Sequence, residues 1–517
     1  MEEREDGEGG GGVGKKIWLA HAEDAEDCSP QSDRRLSAAT ADRRFGIEKG
    51  GHCCNHAPRW RTGANFTKRR FNMRFAPIAS FLFVLATSAS VGATDTSAMT
   101  AQMADLAVMR TDYVQKSPVF TPENRQRALD YISQLENDKR LLTPEQFLLA
   151  CLTVTAFAQN GHDSIDTLPG SWFPSHRLPM RLLWLDDGIV VARVAASHAD
   201  LAGAVVKRIE GLTPEELMQK LRAVGGGLDH FNVWNLNWVI EGAGMLHAMG
   251  LAAAPDKLKI AFERTDGSNI VQEIVYVPSA GVPGGVLPGR LWSQAPLPVE
   301  TAQGWRIPAH PEPLALQDQE KLYRSVDLKN TNALYVQIRI NKDFAGQEIA
   351  PFVRQLEQQL KRSAPRNLIL DLRQNTGGDN ETTRELMRTI ATSIKGRIYV
   401  LVGSQTYSAG IANAAALLHD GGNRVVLVGT PVGDRLQWWS EGHRIVELPN
   451  ARYALRLNGG YWDLLQGCAG NPSCYGDKYD VRVTSLTPHI ATPVRIADWL
   501  AGRDPGLEAV LRDVKGD

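Results

Sequence analysis

The spacing of apolar positions changes twice along the chain. Residues 94–160 carry them at helical intervals, as in ENRQRALDYISQLENDKRLL and FLLACLTVTAFA. Thr143-Pro144-Glu145 puts a capping hydroxyl and a first-turn proline at the start of the second of these helices. From about residue 177 the pattern becomes that of short strands. RLPMRLLWL and IVVARVAA flank Asp187-Gly188, a dipeptide suited to a hairpin turn. A strand, turn and helix follow in GAVVKRIEGLTPEELMQKLRAVGG. After an insertion bearing Trp234 and Trp238, a second hairpin is expected in KLKIAFERTDGSNIVQEIVYV. The two tryptophans stand i,i+4, which predicts one helix face used for packing. Proline and glycine concentrate over 281–320 and read as a linker.

The last part, 321–517, alternates strands and helices. ALYVQIRI, NLILDLR, RIYVLVG and RVVLVGT read as strands; IAPFVRQLEQQLKRS, NETTRELMRTIATSI and SAGIANAAALLHD read as helices between them. That order predicts an α/β fold with βαβ units and a mainly parallel sheet. Sites in such sheets lie beyond the carboxyl ends of the strands. Two loops fall there: QNTGGD at 374–379 and SQTYSAG at 404–410.

The first 93 residues behave differently. From Met73 the chain reads MRFAPIASFLFVLATSASVGATDT, with a basic residue at Arg74, an apolar run over 75–86 and small residues Val91-Gly92-Ala93. This is the layout of a secretory leader cleaved after Ala93. The run is shorter than the roughly 20 residues of a spanning helix, so no membrane span is expected to remain after cleavage. Residues 1–72 mix charge and glycine without apolar period and are expected to be a disordered or untranslated extension. Their His52, Cys53, Cys54 and His56 are too closely set for one tetrahedral metal site, and no metal is expected.

Composition then narrows the function. Apolar residues make up 43% and charged ones 22% of 517, a globular balance with room for several domains. Beyond Ala93 the charge is 43 Lys+Arg against 46 Asp+Glu. Such a near-neutral chain is not built to neutralise phosphates, so nucleic acid is excluded as a partner. Three cysteines remain: Cys468 and Cys474 bracket a short turn and are expected to pair in an oxidising compartment, and Cys151 reads as a buried free thiol.

Ser408 follows a buried strand and opens a helix. It reads either as an ordinary helix cap or as a nucleophile served by the free N–H groups of the helix start. Gly377-Gly378 permit a tight turn with exposed N–H groups that, with that of Ala409, are suited to an oxyanion hole. A phosphate loop is the competing reading, but neither a Walker lysine nor GxGxxG spacing is present.

NLILDLRQNTGG, IYVLVGSQTYSAGIANAAALL and RVVLVGTPVG together resemble the C-terminal processing (tail-specific) peptidases and their tricorn-like relatives. AFAQNGHDSI and SLTPHIATPVRIADWLAGRDPGLEAVL extend the resemblance towards both ends of the chain. It implies a crotonase/ClpP-like core over 321–517, an N-terminal helical region over 94–176 and a PDZ-like α+β module over 177–280. It implies Ser408 as nucleophile and Gly377 or Gly378 with Ala409 as the oxyanion hole. The processing branch uses a lysine base about two dozen residues after the serine. Here that stretch is GTPVGDRLQWWSEG, with Gly433 and Asp434 but no lysine. Arg435 cannot replace it, because a guanidinium stays protonated. The tricorn-like branch uses Ser, His and Glu, which points to His162 as base and Glu441 as its orienting partner, with Asp163, Asp434 and His443 as competitors.

The resulting expectation is an exported, periplasmic or secreted serine peptidase without cofactor, acting on a peptide or protein. A noncatalytic binder of peptides or hydrophobic ligands on the same scaffold is the alternative, favoured by the missing lysine and by Trp438-Trp439. An acyl-CoA enzyme on a shared core is a weaker third, since export removes it from its co-substrate. The exported protein is expected to begin at Thr94 on N-terminal sequencing; a product still starting at Met73 would show that the leader is retained.

Overall fold

Threonine hydroxyls begin the first helices. The Thr121 hydroxyl accepts the Asn124 N–H ahead of α2 (Pro122–Asp138), which follows α1 (Ala89–Val108). At α3 (Pro144–Ala156) the Thr143 hydroxyl takes the Gln146 N–H while the Gln146 side chain returns to the Thr143 N–H. A cap of this kind is worth about 0.5–2 kcal/mol. The computed structural model describes residues 89–279, 298–308, 311–329, 331–442, 444–468, 471–474 and 481–516. Residues 1–72, the apolar stretch 75–86 and His443 lie outside the described residues. From Ala93 onward the chain packs as one unit.

Five strands follow in an antiparallel sheet of sequential order: β1 (Met180–Leu185), β2 (Gly188–Val194), β3 (Val205–Ile209), β4 (Lys257–Glu263) and β5 (Asn269–Val275). Leu185 pairs with Gly188, so Asp186 and Asp187 form the turn. A capping box at Thr213 and Glu216 starts α4 (Pro214–Leu221) between β3 and β4. The buried face of this sheet and helices α1–α3 share one core, in which Leu148, Leu152, Val206 and Ile260 all take part.

The two tryptophans of the insertion do not share a helix. Helix Asp229–Asn235 ends at Leu236, whose φ of −99° and ψ of 6° interrupt the turn before Asn237–Glu241 begins. They diverge: the Trp234 indole donates to the Ser404 carbonyl (3.2 Å), and Trp238 packs on Phe173.

The second sheet has six strands in the order β13-β10-β9-β8-β7-β6. They are β6 (Tyr323–Leu328), β7 (Ala333–Ile338), β8 (Asn367–Asp371), β9 (Ile398–Val402), β10 (Val425–Gly429) and β13 (Ile490–Ala491). A separate two-stranded pair is formed by β11 (Gln437–Ser440) and β12 (Gly460–Asp463). Only β6 runs antiparallel in the six-stranded sheet. β7 to β10 are buried along their whole length, as expected of parallel strands covered on both faces. Helices α5 (Ile349–Ser363), α6 (Glu381–Ser393) and α7 (Ala409–Gly421) contribute to the core on one face. After the short α8 (Ile496–Leu500), α9 (Pro505–Gly516) covers the other with Leu507 and Val510. Among the described residues no helix is long and apolar enough to cross a membrane.

The described parts of the proline-rich 281–320 stretch are not a loose linker. Glu300, fully buried in the short helix Pro298–Ala302, sits between Arg193 (2.9 Å) and Arg181 (3.3 Å) of the antiparallel sheet. Further on, the Ala315, Gln317 and Asp318 carbonyls receive the buried Arg339 guanidinium. Composition registered the proline and glycine; buried charge complementarity docks the segment.

One ion cluster fixes the top of the parallel sheet. Arg373, just past β8, bridges Asp371 (2.6 Å) and Asp504 (2.7 Å), and the Tyr335 hydroxyl donates to Asp371 (2.7 Å). Asp371 is held low by Arg373 and its hydrogen bonds despite its burial. Arg373→Ala leaves two buried carboxylates uncompensated and is expected to cost about 3–5 kcal/mol, read as a lower urea midpoint at unchanged m-value.

Candidate active site

The loops after β8 and β9 meet through one side chain. Asn375 is fully buried, and its amide NH₂ donates to the Ile338 carbonyl (3.0 Å) and to Asn341 Oδ1 (2.7 Å). Its own Oδ1 accepts the Gly377 N–H (3.0 Å), and its backbone carbonyl accepts the Tyr407 N–H (2.9 Å). One residue thus ties the end of β7, the glycine turn and the serine loop together. The network continues from Asn341 to Thr383 and on to Asn413 of α7.

The glycines serve different purposes. Gly377 has φ +102°, and a Cβ there would lie 2.6 Å from Ser408 Cβ and 3.1 Å from its Oγ, so no side chain fits. Its carbonyl accepts the Asn341 N–H (2.7 Å). In a trans peptide the N–H points opposite to the carbonyl, so the Gly378 N–H is directed away from Asn341. The Gly377 N–H is taken by Asn375; those of Gly378 and Ala409 have no protein acceptor among the described residues. Of the two glycines, Gly378 is the one with a donor to offer.

Ser408 departs from a cap. Its φ of +50° and ψ of −122° lie in a region that costs a non-glycine residue about 1–3 kcal/mol. Its side chain makes no capping hydrogen bond to α7. The residue is buried, only 4% exposed, with its hydroxyl above Gly377. A strained, non-capping serine at a strand-to-helix turn is the geometry of a nucleophile elbow.

His162 stands against the residue that precedes this serine. Its Nδ1 is 2.9 Å from the Tyr407 hydroxyl and 3.5 Å from Asp434 Oδ2, and all three side chains are buried. The Asp434 carboxylate thus stands on the Nδ1 side of the ring, as does the Tyr407 hydroxyl. A carboxylate has no proton to give, so its position facing Nδ1 favours the tautomer with the proton on that nitrogen. That tautomer places the lone pair on Nε2. Burial pushes the His162 pKa below its ordinary 6.5, and hydrogen bonding and charge from Asp434 oppose that. Burial, with Asp434 beside it, raises Tyr407 well above the usual phenol value. The imidazole lies parallel to Trp438, which stacks in turn on Trp462. No hydrogen bond joins Ser408 Oγ to His162 in this structure.

Glu441 is placed elsewhere. Its Oε1 accepts the Trp462 indole N–H (3.1 Å), and its backbone sits at φ +50°. The carboxylate against the His162 ring is that of Asp434, in the very stretch where the processing branch carries lysine. Asp163 turns away to Tyr113 (2.9 Å) and Asn160 (2.7 Å), and burial pushes its pKa up to about 7. Cys468 and Cys474 are joined by a disulfide remote from these groups in sequence, and Cys151 is a buried thiol.

No family model and no curated protein matches the sequence. Solved structures do. A serine-to-alanine mutant of CPAF aligns over 81% of this chain and 97% of its own, at 12% identity and a TM-score of 0.51. The chain has the CPAF fold. Mature CPAF complexed with lactacystin aligns over 81% of this chain and 98% of its own, with 13% identity and a TM-score of 0.48. A photosystem II D1 C-terminal processing protease also aligns over 81% and 98%, with 12% identity and a TM-score of 0.37.

Two residues escaped the reading of the sequence. Asn375 lay in the quoted loop, and an Asn just before two glycines is a turn-maker whose side chain bonds nearby backbone. Tyr407 carried no signal, since a tyrosine beside a candidate serine is ordinary core material. Because both Asp434 contributions raise the His162 pKa, Asp434→Asn is expected to lower it further below 6.5. A ¹⁵N-histidine NMR titration checks the sign; a rise in the variant would show that Asp434 does not face the ring.

Proposed function

We propose that this chain is a serine peptidase of the C-terminal processing type, with Ser408 as nucleophile. The observation that carries the reading is the strained, buried, non-capping Ser408 set directly over Gly377. Ser408 Oγ attacks the scissile carbonyl carbon, and its proton passes to His162 Nε2. The Gly378 and Ala409 N–H groups hold the oxyanion, where a single donor of this kind is worth about 10²–10³ in rate. The C–N bond then breaks, the amine leaves with the proton from His162, and water hydrolyses the acyl-enzyme. Asp434, 3.5 Å from Nδ1, stabilises the transient imidazolium. The base reaches Ser408 on substrate binding, as catalytic hydrogen bonds often tighten only in the complex.

In this reading 321–517 is a crotonase/ClpP-like core, and the five-stranded sheet of 177–280 is a PDZ-like module presenting an extended peptide or protein segment. The leader at 73–93 directs the enzyme to the periplasm or outside the cell. The fold shared with CPAF supports the assignment, as does the pairing of the two loops at the carboxyl ends of parallel strands.

A fluorophosphonate probe is expected to label Ser408 in the intact protein and not in Ser408→Ala. Peptide hydrolysis in that variant is expected to fall at least about a thousandfold. Hydrolysis that survives Ser408→Ala would end the proposal, and a folded wild type that resists acylation would favour a binding protein.

A further inference from the structure

A second cavity opens at the other side of the same strand ends. About 740 Å³ of empty space, part of it open to solvent, lies where β8, β9 and β10 finish, between the β1–β2 turn and helices α8 and α9. Its walls are largely apolar, with Leu316, Val402, Val494, Trp499 and Pro505 among them. Its polar end is defined by Gly506: Thr492 Oγ1, Asp504 Oδ1 and Arg373 Nη1 all lie within 3.4 Å of where a Cβ would stand there. Thr492 is more than nine-tenths buried, and its hydroxyl has no hydrogen-bond partner in the protein. A buried hydroxyl in this state gains from a partner that the protein itself does not supply.

The charges around the cavity are already matched or negative. Arg373 is held by Asp371 and Asp504, Arg503 pairs with Asp498, and Asp186 receives the Val494 N–H (2.7 Å). An anion would meet no uncommitted cation among these groups. The cavity wall also includes Gly403 and Ser404, which begin the loop that carries Ser408. That loop is internally braced. The Gly403 N–H donates to Thr406 Oγ1 (2.9 Å), the Thr406 N–H returns to the Gly403 carbonyl (2.8 Å), and Thr406 Oγ1 donates to the Leu372 carbonyl (2.8 Å).

We propose that this seam cavity binds a small, neutral, largely apolar molecule bearing one hydrogen-bond acceptor for Thr492, and that its occupancy stiffens the 403–408 loop. The site is separate from the peptidase chemistry and does not depend on it. A molecule bridging the β1–β2 turn, the core strands and α8 fastens three parts of the fold against the root of the serine loop. Such a ligand acts by shifting the population of loop conformations, and only to the extent that it binds one of them better.

The test uses the whole chain and 2-phenylethanol, observed by saturation-transfer NMR. Binding is expected in the wild type and lost in Leu316→Trp, which fills the cavity. In the near-isosteric Thr492→Val the affinity is expected to fall about threefold to tenfold, the size of one hydrogen bond. Phenylacetate, the anionic analogue, is expected to bind more weakly than the alcohol. Amide exchange across 403–408 is expected to slow when the alcohol binds. Equal binding by wild type and Thr492→Val, or binding that survives in folded Leu316→Trp, would overturn the site. Binding without slower exchange would overturn its link to the loop. Both readouts are independent of hydrolysis, so failure of the Ser408 proposal leaves them intact.

Discussion

The arrangement at the strand ends depends on the Asn375 side chain. A parallel sheet delivers its loops to one edge but does not set their mutual height; separate strands can end a residue early or late. Asn375 sets it by using its amide in both directions, donating to the end of β7 and to Asn341 and accepting from Gly377. Its carbonyl then fixes where the Tyr407 N–H, and so Ser408, must sit. Four hydrogen bonds to a fully buried residue are costly to break one at a time, since each loss leaves a polar group without water. The two loops therefore move together or not at all.

That rigidity explains how the strain at Ser408 persists. A non-glycine residue at φ +50° relaxes unless its neighbours prevent it. Here Gly377 stands so close that its own Cβ is forbidden, and Gly410, at the start of α7, is as close to the Asn375 carbonyl and amide oxygen. Small residues on both sides of the serine let the backbones approach, and the approach supports its strained conformation. The Ala409 N–H, at the first position of α7, then has no intrahelical acceptor. Strain, closeness and a spare donor are three consequences of one packing arrangement.

Much of this was legible in the sequence because period and turn chemistry are local. The β1–β2 hairpin, which turns at Asp186-Asp187 one residue ahead of the expected Asp187-Gly188, the threonine caps and the βα alternation after residue 321 all follow from neighbours in the chain. What was not legible depends on distant partners. The break at Leu236 separates two tryptophans that spacing alone puts on one helix face, and one of them then reaches Ser404. The docking of 298–320 rests on Arg193, Arg181 and Arg339, none of which is near it in sequence. The same limit governed the histidine's partner. Glu441 and Asp434 are both acids a short way past the serine, and only the fold turns one to Trp462 and the other to the ring.

An aspartate rather than a lysine in that stretch has a chemical consequence for the proposed site. A lysine base must be neutral to act, which requires surroundings that penalise positive charge. An acid in that stretch does the opposite: Asp434 favours a cation beside it, so a base next to it has to be one that works while gaining charge. In the proposed reaction an imidazole meets that condition, because its protonated form is the intermediate state rather than the resting state. Burial disfavours the charged form of His162, and Asp434 opposes that effect. Tyr407 and Asp434 both stand on the Nδ1 side of the ring, so in the proposed reaction the opposite nitrogen, Nε2, takes the proton.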